Sequence, residues 1–162
     1  MRLTVLFAAL GAAPAAATDL RFDAAPTEMC LAAVSDDAQA YGCVGRAATA
    51  CMEQPGGETT VGMGFCLDAE LDLWDGKLNG AYQALRADLT AQDAGRTNAA
   101  ISLSDSARDM QRAWIGFRDA RCSFEAAQWQ GGTGCSPAFL GCTMQMTAEQ
   151  TLYLWSVLHG AR

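Results

Sequence analysis

The strongest constraint on this chain is one apolar stripe. Leu67, Leu71, Trp74, Leu78, Tyr82, Leu85 and Leu89 recur at steps of four and three. Only a helix of 3.6 residues per turn brings such positions onto one face, so the spacing predicts a helix from about Phe65 to Gln92. A single helix of that length cannot bury its own stripe; it demands partners. A second run offers one. Leu103, Ala107, Met110, Trp114, Phe117, Arg121 and Phe124 keep the same rhythm and predict a helix from about Ser102 to Gln128. The short polar connection Asp93 to Asn98 makes the pair an antiparallel hairpin. The expected fold is therefore all-α: a disulfide-braced antiparallel helical bundle built on a long helical hairpin.

The flanking segments read less sharply. Thr27 suits the cap of a short helix running through Cys30 to Val34 and ending at Ser35-Asp36-Asp37. Ala38 to Glu53 is Ala-rich, with Tyr41, Val44, Ala48 and Cys51 at helical spacing, and reads as one helix stopped by Gln54-Pro55-Gly56-Gly57. Thr59-Thr60-Val61 is too short to predict a strand. Trp129 to Cys142 reads as a Gly-rich loop. Thr147-Ala148-Glu149-Gln150 matches a capping box, so a last helix is expected from there to about His159, with Ala148, Leu152, Trp155 and Leu158 facing inward.

The N-terminus has the form of an export signal. Arg2 is the charged start, Leu3 to Leu10 the apolar run, and Ala15-Ala16-Ala17 a small-residue cleavage site. The expected division is a leader over 1–17, an extension with short helices over 18–50, and a helical domain over 51–160. Without Arg2, ten bases face 18 acids, a formal charge of −8. An acidic chain with a single lysine, Lys77, lacks the basic stripe that nucleic acid requires. It also lacks the polybasic patch of peripheral membrane proteins, and no cysteine stands at the cleavage site to carry a lipid anchor. The chain is thus expected in the periplasm or secreted.

Seven cysteines follow the leader: Cys30, Cys43, Cys51, Cys66, Cys122, Cys135 and Cys142. Oxidation after export favours disulfides over metal ligation, and no CxxC pair suggests zinc. The odd count leaves one thiol over. Six paired cysteines admit 15 connectivities, which spacing does not separate. Pairing of neighbours gives Cys30–Cys43, Cys51–Cys66 and Cys122–Cys142, and leaves Cys135 free in the Gly-rich loop.

Chemistry is sparse. The one histidine, His159, lies in the last turn of the last predicted helix, where a cation suits the exposed carbonyls. A Ser–His or Cys–His site would have to use it. Asp68, Asp72, Asp75 and Asn79 share one helix face, but a line of oxygens is poor geometry for a hard cation. The expectation is a solvated acidic face, with no metal, cofactor or catalytic residues. Arg118 lies between Ile115 and Cys122 on one stripe, which implies partial burial and a carboxylate partner; Asp75 and Glu70 are the candidates. Arg118, Arg121, Trp129 and Asp75 are the candidates for contact with a protein partner.

Several segments together carry a family resemblance. These are Cys51 with Cys66, Asp75-x-x-Leu78-Asn79-x-x-Tyr82-x-x-Leu85, Gln111-Arg112-Ala113-Trp114-Ile115-x-Phe117-Arg118-Asp119-Ala120-x-Cys122-x-x-Glu125, then Gly131-Gly132, Cys142 and Thr147. Over about Cys51 to Leu158 the chain resembles the lysozyme inhibitor LprI N-terminal domain family of bacterial exported proteins. The resemblance implies an all-helical domain outside the cytoplasm with Cys51–Cys66 and Cys122–Cys142 as bridges. It implies a protein-binding role, lysozyme inhibition in the name-giving member. The alternative is an envelope structural or interaction module with another protein partner. Oligomeric state is not readable from sequence.

Overall fold

A computed structural model describes residues 20–96 and 100–160; the expected leader, its cleavage site and residues 97–99 of the connection lie outside them. Six α-helices appear among the described residues: α1 (Ala25–Ala33), α2 (Asp37–Ala40), α3 (Arg46–Met52), α4 (Thr60–Ala94), α5 (Leu103–Ala127) and α6 (Cys135–Leu158). A single 3₁₀ turn, Tyr41–Cys43, follows α2. No strand occurs among these residues, so the fold is all-α.

The two long apolar stripes form the two long helices, α4 and α5. Thr59 caps α4 by accepting from the Gly62 N–H at 3.0 Å, so the Thr-Thr-Val segment is the first turn of that helix. Ser102 caps α5 by accepting from the Asp105 N–H at 3.0 Å. The hairpin exists, but its two arms are not the main contact. The most extensive packing of α4 is against α6, with α5 beside both. Matched positions set the directions. Gly64 lies against Leu140, Gly141 against Leu67, and the Thr151 hydroxyl reaches the Trp74 carbonyl, so α6 runs parallel to α4. Gln111 meets Gln150, Arg118 meets Thr147 and Cys122 joins Cys142, so α5 runs antiparallel to α6.

The core has two parts. In one, Trp74, Ala148, Leu152 and Met144 meet Ala40, Ala48, Cys51 and Cys66. Trp74 and Trp155 tilt against each other at 50° with centroids 6.5 Å apart. In the other, Leu78, Ala81, Leu85 and Leu89 meet Ala107 and Leu154. The four inward positions expected on α6 fall in or against this core.

Five expectations about local structure are corrected. Ala38 to Glu53 is broken, not continuous: Val44 is extended and Gly45 adopts φ 84°, a left-handed conformation that glycine takes without a Cβ penalty. Thr27 is inside α1 and not its cap; the helix starts two residues earlier, with Pro26 in the first turn. The loop ends at Gly134, because Cys135 to Cys142 is already helical. Pro137 lies in the first turn of α6, where a missing N–H costs no helical bond. Thr147 is therefore buried mid-helix with no free helix end to cap. Finally, the inner face of α5 drifts. Beyond Trp114 it passes through Arg118, Cys122 and Ala126, which leaves Phe117, Arg121 and Phe124 outside.

Three disulfides tie the elements: Cys30–Cys43 joins α1 to the 3₁₀ turn, Cys51–Cys66 joins α3 to α4, and Cys122–Cys142 joins α5 to α6. Each closes a loop of 13 to 20 residues in sequence separation, worth about 3 kcal/mol in the chain-entropy account.

Glu70 is the buried polar centre. Its Oε1 accepts from the Thr27 hydroxyl (2.8 Å), the Gly45 N–H (2.9 Å) and the Trp74 indole N–H (3.1 Å). Its Oε2 accepts from the Ala48 N–H at 2.6 Å. The Ala47 N–H donates to the Thr27 hydroxyl at 3.0 Å. Gly45 has no side chain to cap α3, so Glu70 from α4 and Thr27 from α1 do it instead.

Asp93 makes the equivalent junction between α4 and α5. It accepts from the Leu103 and Ser104 N–H groups (both 2.9 Å) and from the Ser102 hydroxyl (2.8 Å). The backbone N–H groups of Ser104 and Leu103, more than Arg96, hold its carboxyl below the ordinary aspartate range.

Two outcomes are expected. Glu70→Gln turns one acceptor into a donor that faces N–H groups, and should lower unfolding stability by about 2–4 kcal/mol in urea titration; Thr27→Val should cost less, about 1–2 kcal/mol. Because the folded Asp93 pKa is depressed, its stabilisation is complete above the ordinary aspartate pKa of about 3.9 and is lost as pH falls through the folded value. The gap in stability between wild type and Asp93→Asn should be level from pH 5 upward, on the order of the neutral range, and close below about pH 4.

Candidate partner-binding cleft

The Gly-rich segment forms a tight turn at one end of the α5–α6 pair. Gln130 and Gly131 take positive φ values of 50° and 80°, and the Gly132 N–H donates back to the Trp129 carbonyl at 2.8 Å. The turn delivers Trp129 to the mouth of a cleft between α5 and α6. Arg121 and Glu125 line one wall; Ala138, Gln145 and Glu149 line the other; Cys142 and Met146 lie between. The cleft encloses about 210 Å³, less than a small-molecule pocket usually offers. It suits an inserted side chain better than a substrate.

Trp129 is 55% exposed, and its ring lies over Gly134. Its indole lies against the Gly134 backbone so closely that a Cβ at 134 would run into the ring. Glycine is required here for room, not for its torsion, since its φ is −71°. The Cys122–Cys142 bridge lies next to the turn and fixes the two helices that carry the cleft walls. A large amphipathic ring, pre-positioned on a cross-linked base, loses little freedom on binding.

The other candidates divide. Arg121 is exposed on the cleft wall. Arg118 is not: its side chain is 17% exposed, its Nε and Nη2 pair with Asp119 at 2.9 and 2.8 Å, and its Nη1 donates to the Thr147 hydroxyl at 3.4 Å. Its guanidinium also stacks 5.1 Å over the Trp114 ring. The expected pairing of Arg118 with Asp75 or Glu70 is thus corrected. Glu70 takes its partners from N–H and hydroxyl donors, and exposed Asp75 accepts from Asn79 at 2.9 Å. Partial burial of Arg118 was readable from its stripe; its partner was not, because the adjacent Asp119 satisfies the charge without any tertiary contact.

The acidic stripe Asp68, Asp72, Asp75 and Asn79 is exposed along α4, and Asp68 borders a groove that also touches Thr133 of the turn. No group of three His, Cys, Asp or Glu side chains suited to a metal occurs among the described residues. Cys135 carries a free thiol, half-buried in the first turn of α6 and not in a loop. His159 sits at the C-terminal cap of α6, exposed, its N–H donating to the Trp155 carbonyl at 2.9 Å. No described helix is long and apolar enough to cross a membrane.

Gly134→Ala should test the cleft directly. The added methyl forces the Trp129 ring off its seat, so the near-ultraviolet circular dichroism of the indole should change while the far-ultraviolet spectrum stays that of an all-α protein. An unchanged near-ultraviolet signal would mean that Trp129 is not held by Gly134.

Comparison with known proteins finds relatives of this chain. The chain is 29% identical over 138 residues to an uncharacterised 17.7 kDa protein in the puhA 5′ region of Rhodobacter capsulatus, covering 83% of this chain and 85% of that one. It is 28% identical over 102 residues to an uncharacterised protein of Rhizobium meliloti (strain 1021), covering 61% of this chain and 73% of that one. No solved structure matches. The lysozyme inhibitor LprI profile matches residues 51–154, from the cysteine of α3 through the buried part of α6. That span contains α4, α5, the Trp129 turn and two of the three bridges, and the chain belongs to the lysozyme inhibitor LprI family.

Proposed function

We propose that this protein is an exported, non-enzymatic binding domain that inhibits a lysozyme, with the Trp129 turn as its contact element. The observation that carries the reading is the exposed Trp129 ring, seated on Gly134 at a cleft that Cys142 also lines, inside the span matched by the lysozyme inhibitor family. Three disulfides suit a periplasmic or secreted location.

The physical route has two stages. The chain is acidic, with a formal charge of −7 over its full length, and the Asp68, Asp72 and Asp75 face of α4 is solvated. Such a surface steers a basic enzyme toward it, at a rate that falls with ionic strength. The short-range stage belongs to the turn. Trp129 supplies apolar contact area, and Arg121 on the adjacent wall supplies a cation for an acidic group in the enzyme's cleft. Arg118 serves the reading only indirectly, because its contacts with Asp119, Trp114 and Thr147 keep it against the protein.

The test is inhibition of several lysozyme types by the oxidised protein at low and moderate salt. Trp129→Ala should weaken inhibition by at least tenfold, and Arg121→Ala by several-fold, with Arg118→Ala acting mainly on stability. Inhibition that vanishes at moderate salt, or that ignores Trp129→Ala, would sink the reading. The protein would then be an envelope interaction module with another protein partner.

A further inference from the structure

The cleft between α5 and α6 is a shallow trench. Ala138 and Glu149 bound it along α6, and the helical rise of 1.5 Å per residue sets them about 16 Å apart. Because α5 and α6 run antiparallel through Cys122–Cys142, Trp129 stands at the Ala138 end, with Arg121 and Gln145 between it and Glu149. The walls carry planar polar side chains. Glu125 Oε2 accepts from Gln128 Nε2 at 2.9 Å, and Glu149 Oε1 accepts from Gln145 Nε2 at 2.9 Å. The other oxygen of each carboxylate is open to a donor. Arg121, which offers only donors, has no ion pair among the described residues. Trp74 is buried, and Trp114 and Trp155 are half-buried, so Trp129 alone presents an open indole.

We propose that this trench holds a short, neutral, β-linked sugar chain, with one ring stacked on Trp129. Three features have to be used together: acceptors at Glu125 and Glu149, donors at Arg121, and an open aromatic ring. A sugar uses all three. Each hydroxyl both donates and accepts, and the C–H groups of a ring with equatorial substituents form an apolar face that lies flat on an indole. The β linkage keeps successive rings in line, which fits a straight trench between two helices. The chain is gripped along one edge and not enclosed, in keeping with the small volume.

Other long ligands fit the lining less well. An extended peptide needs a sheet edge to pair with, and no strand occurs among the described residues. A helical peptide needs an apolar groove, and apart from Trp129 the apolar lining is only Ala138, Cys142 and Met146. An acyl chain would strip water from Glu125, Glu149 and Arg121 without replacing its hydrogen bonds. Two carboxylates against one guanidinium repel a nucleic-acid strand or an anionic glycan, which leaves a neutral one. The proposal does not rest on lysozyme inhibition; a sugar chain and a protein partner would take the ring in turn.

Titration of the oxidised, isotope-labelled protein with triacetylchitotriose, and separately with cellotriose, reads the result through amide and indole NMR shifts. Saturable shifts of the Trp129 indole N–H and the Gln145 amide are expected with at least one of the two, at a Kd of about 1 mM. Read at the Gln145 amide, Trp129→Ala and Gly134→Ala should each weaken binding by about tenfold or more, and Glu149→Ala by several-fold. Trp129→Phe, which keeps a flat ring, should stay within about threefold of wild type. Asp72→Ala, on the solvated face of α4, should bind as the wild type does. No saturable shift with either sugar up to about 20 mM overturns the proposal. So does binding that survives Trp129→Ala, or an equal loss in Asp72→Ala. No lysozyme is present, so each of these results leaves the inhibitor reading to its own assay.

Discussion

The fold depends on a carboxyl group that meets no cation. Glu70 on α4 gathers donors from three other places: the Thr27 hydroxyl on α1, the Gly45 and Ala48 N–H groups at the start of α3, and the Trp74 indole one turn along its own helix. A buried carboxyl without such donors would cost several kcal/mol. Here the start of α3 supplies them, because the first N–H groups of a helix have no partner within it. Each group thus removes the other's desolvation cost. The short N-terminal helices cannot hold themselves together, and this junction, with the Cys30–Cys43 and Cys51–Cys66 bridges, fixes them to the long ones.

The same logic recurs at the other end of α4. Asp93 collects the first N–H groups of α5 and so turns the chain at a fixed angle. Between these two junctions the contacts of α4 are mainly apolar, and α6 supplies many of them through Ala148, Leu152 and Leu154. Rigidity follows where the function is proposed. The α5 and α6 helices are joined at Cys122–Cys142, and the turn between them is short and closed by backbone hydrogen bonds from the Gly132 and Cys135 N–H groups. A binding surface on such a base begins close to its bound shape, which is what an inhibitor of a preformed cleft requires.

Much of the fold was legible because α4 and α5 are long. A stripe repeated over about six turns fixes a period beyond doubt. The short segments were not legible. Ala38 to Glu53 has helical composition throughout, and its break depends on Gly45 turning left-handed so that its N–H reaches Glu70, a residue 25 positions away. The Thr147 to Gln150 pattern has the form of a helix start, yet Thr147 is buried mid-helix beneath Arg118. A cap pattern describes what side chains are able to do, and tertiary packing chose another use for them. On α5 the arithmetic of 3.6 against 3.5 residues moved the inner face away from Phe117 and Phe124, and only the position of α6 says which stripe wins.

The sequence by itself determined the helical class, the two long helices, the need for covalent bracing and the family. Each rests on local periodicity, residue count or contiguous motif. Tertiary structure alone decided that α6 and not α5 is the chief partner of α4, that Arg118 is turned inward while Arg121 is exposed on the cleft wall, and that Trp129 is seated on Gly134. These are relations between residues far apart in sequence, or between one ring and one missing Cβ. No periodicity encodes them, because the free energy that fixes them is set by which surfaces meet when the chain closes on itself.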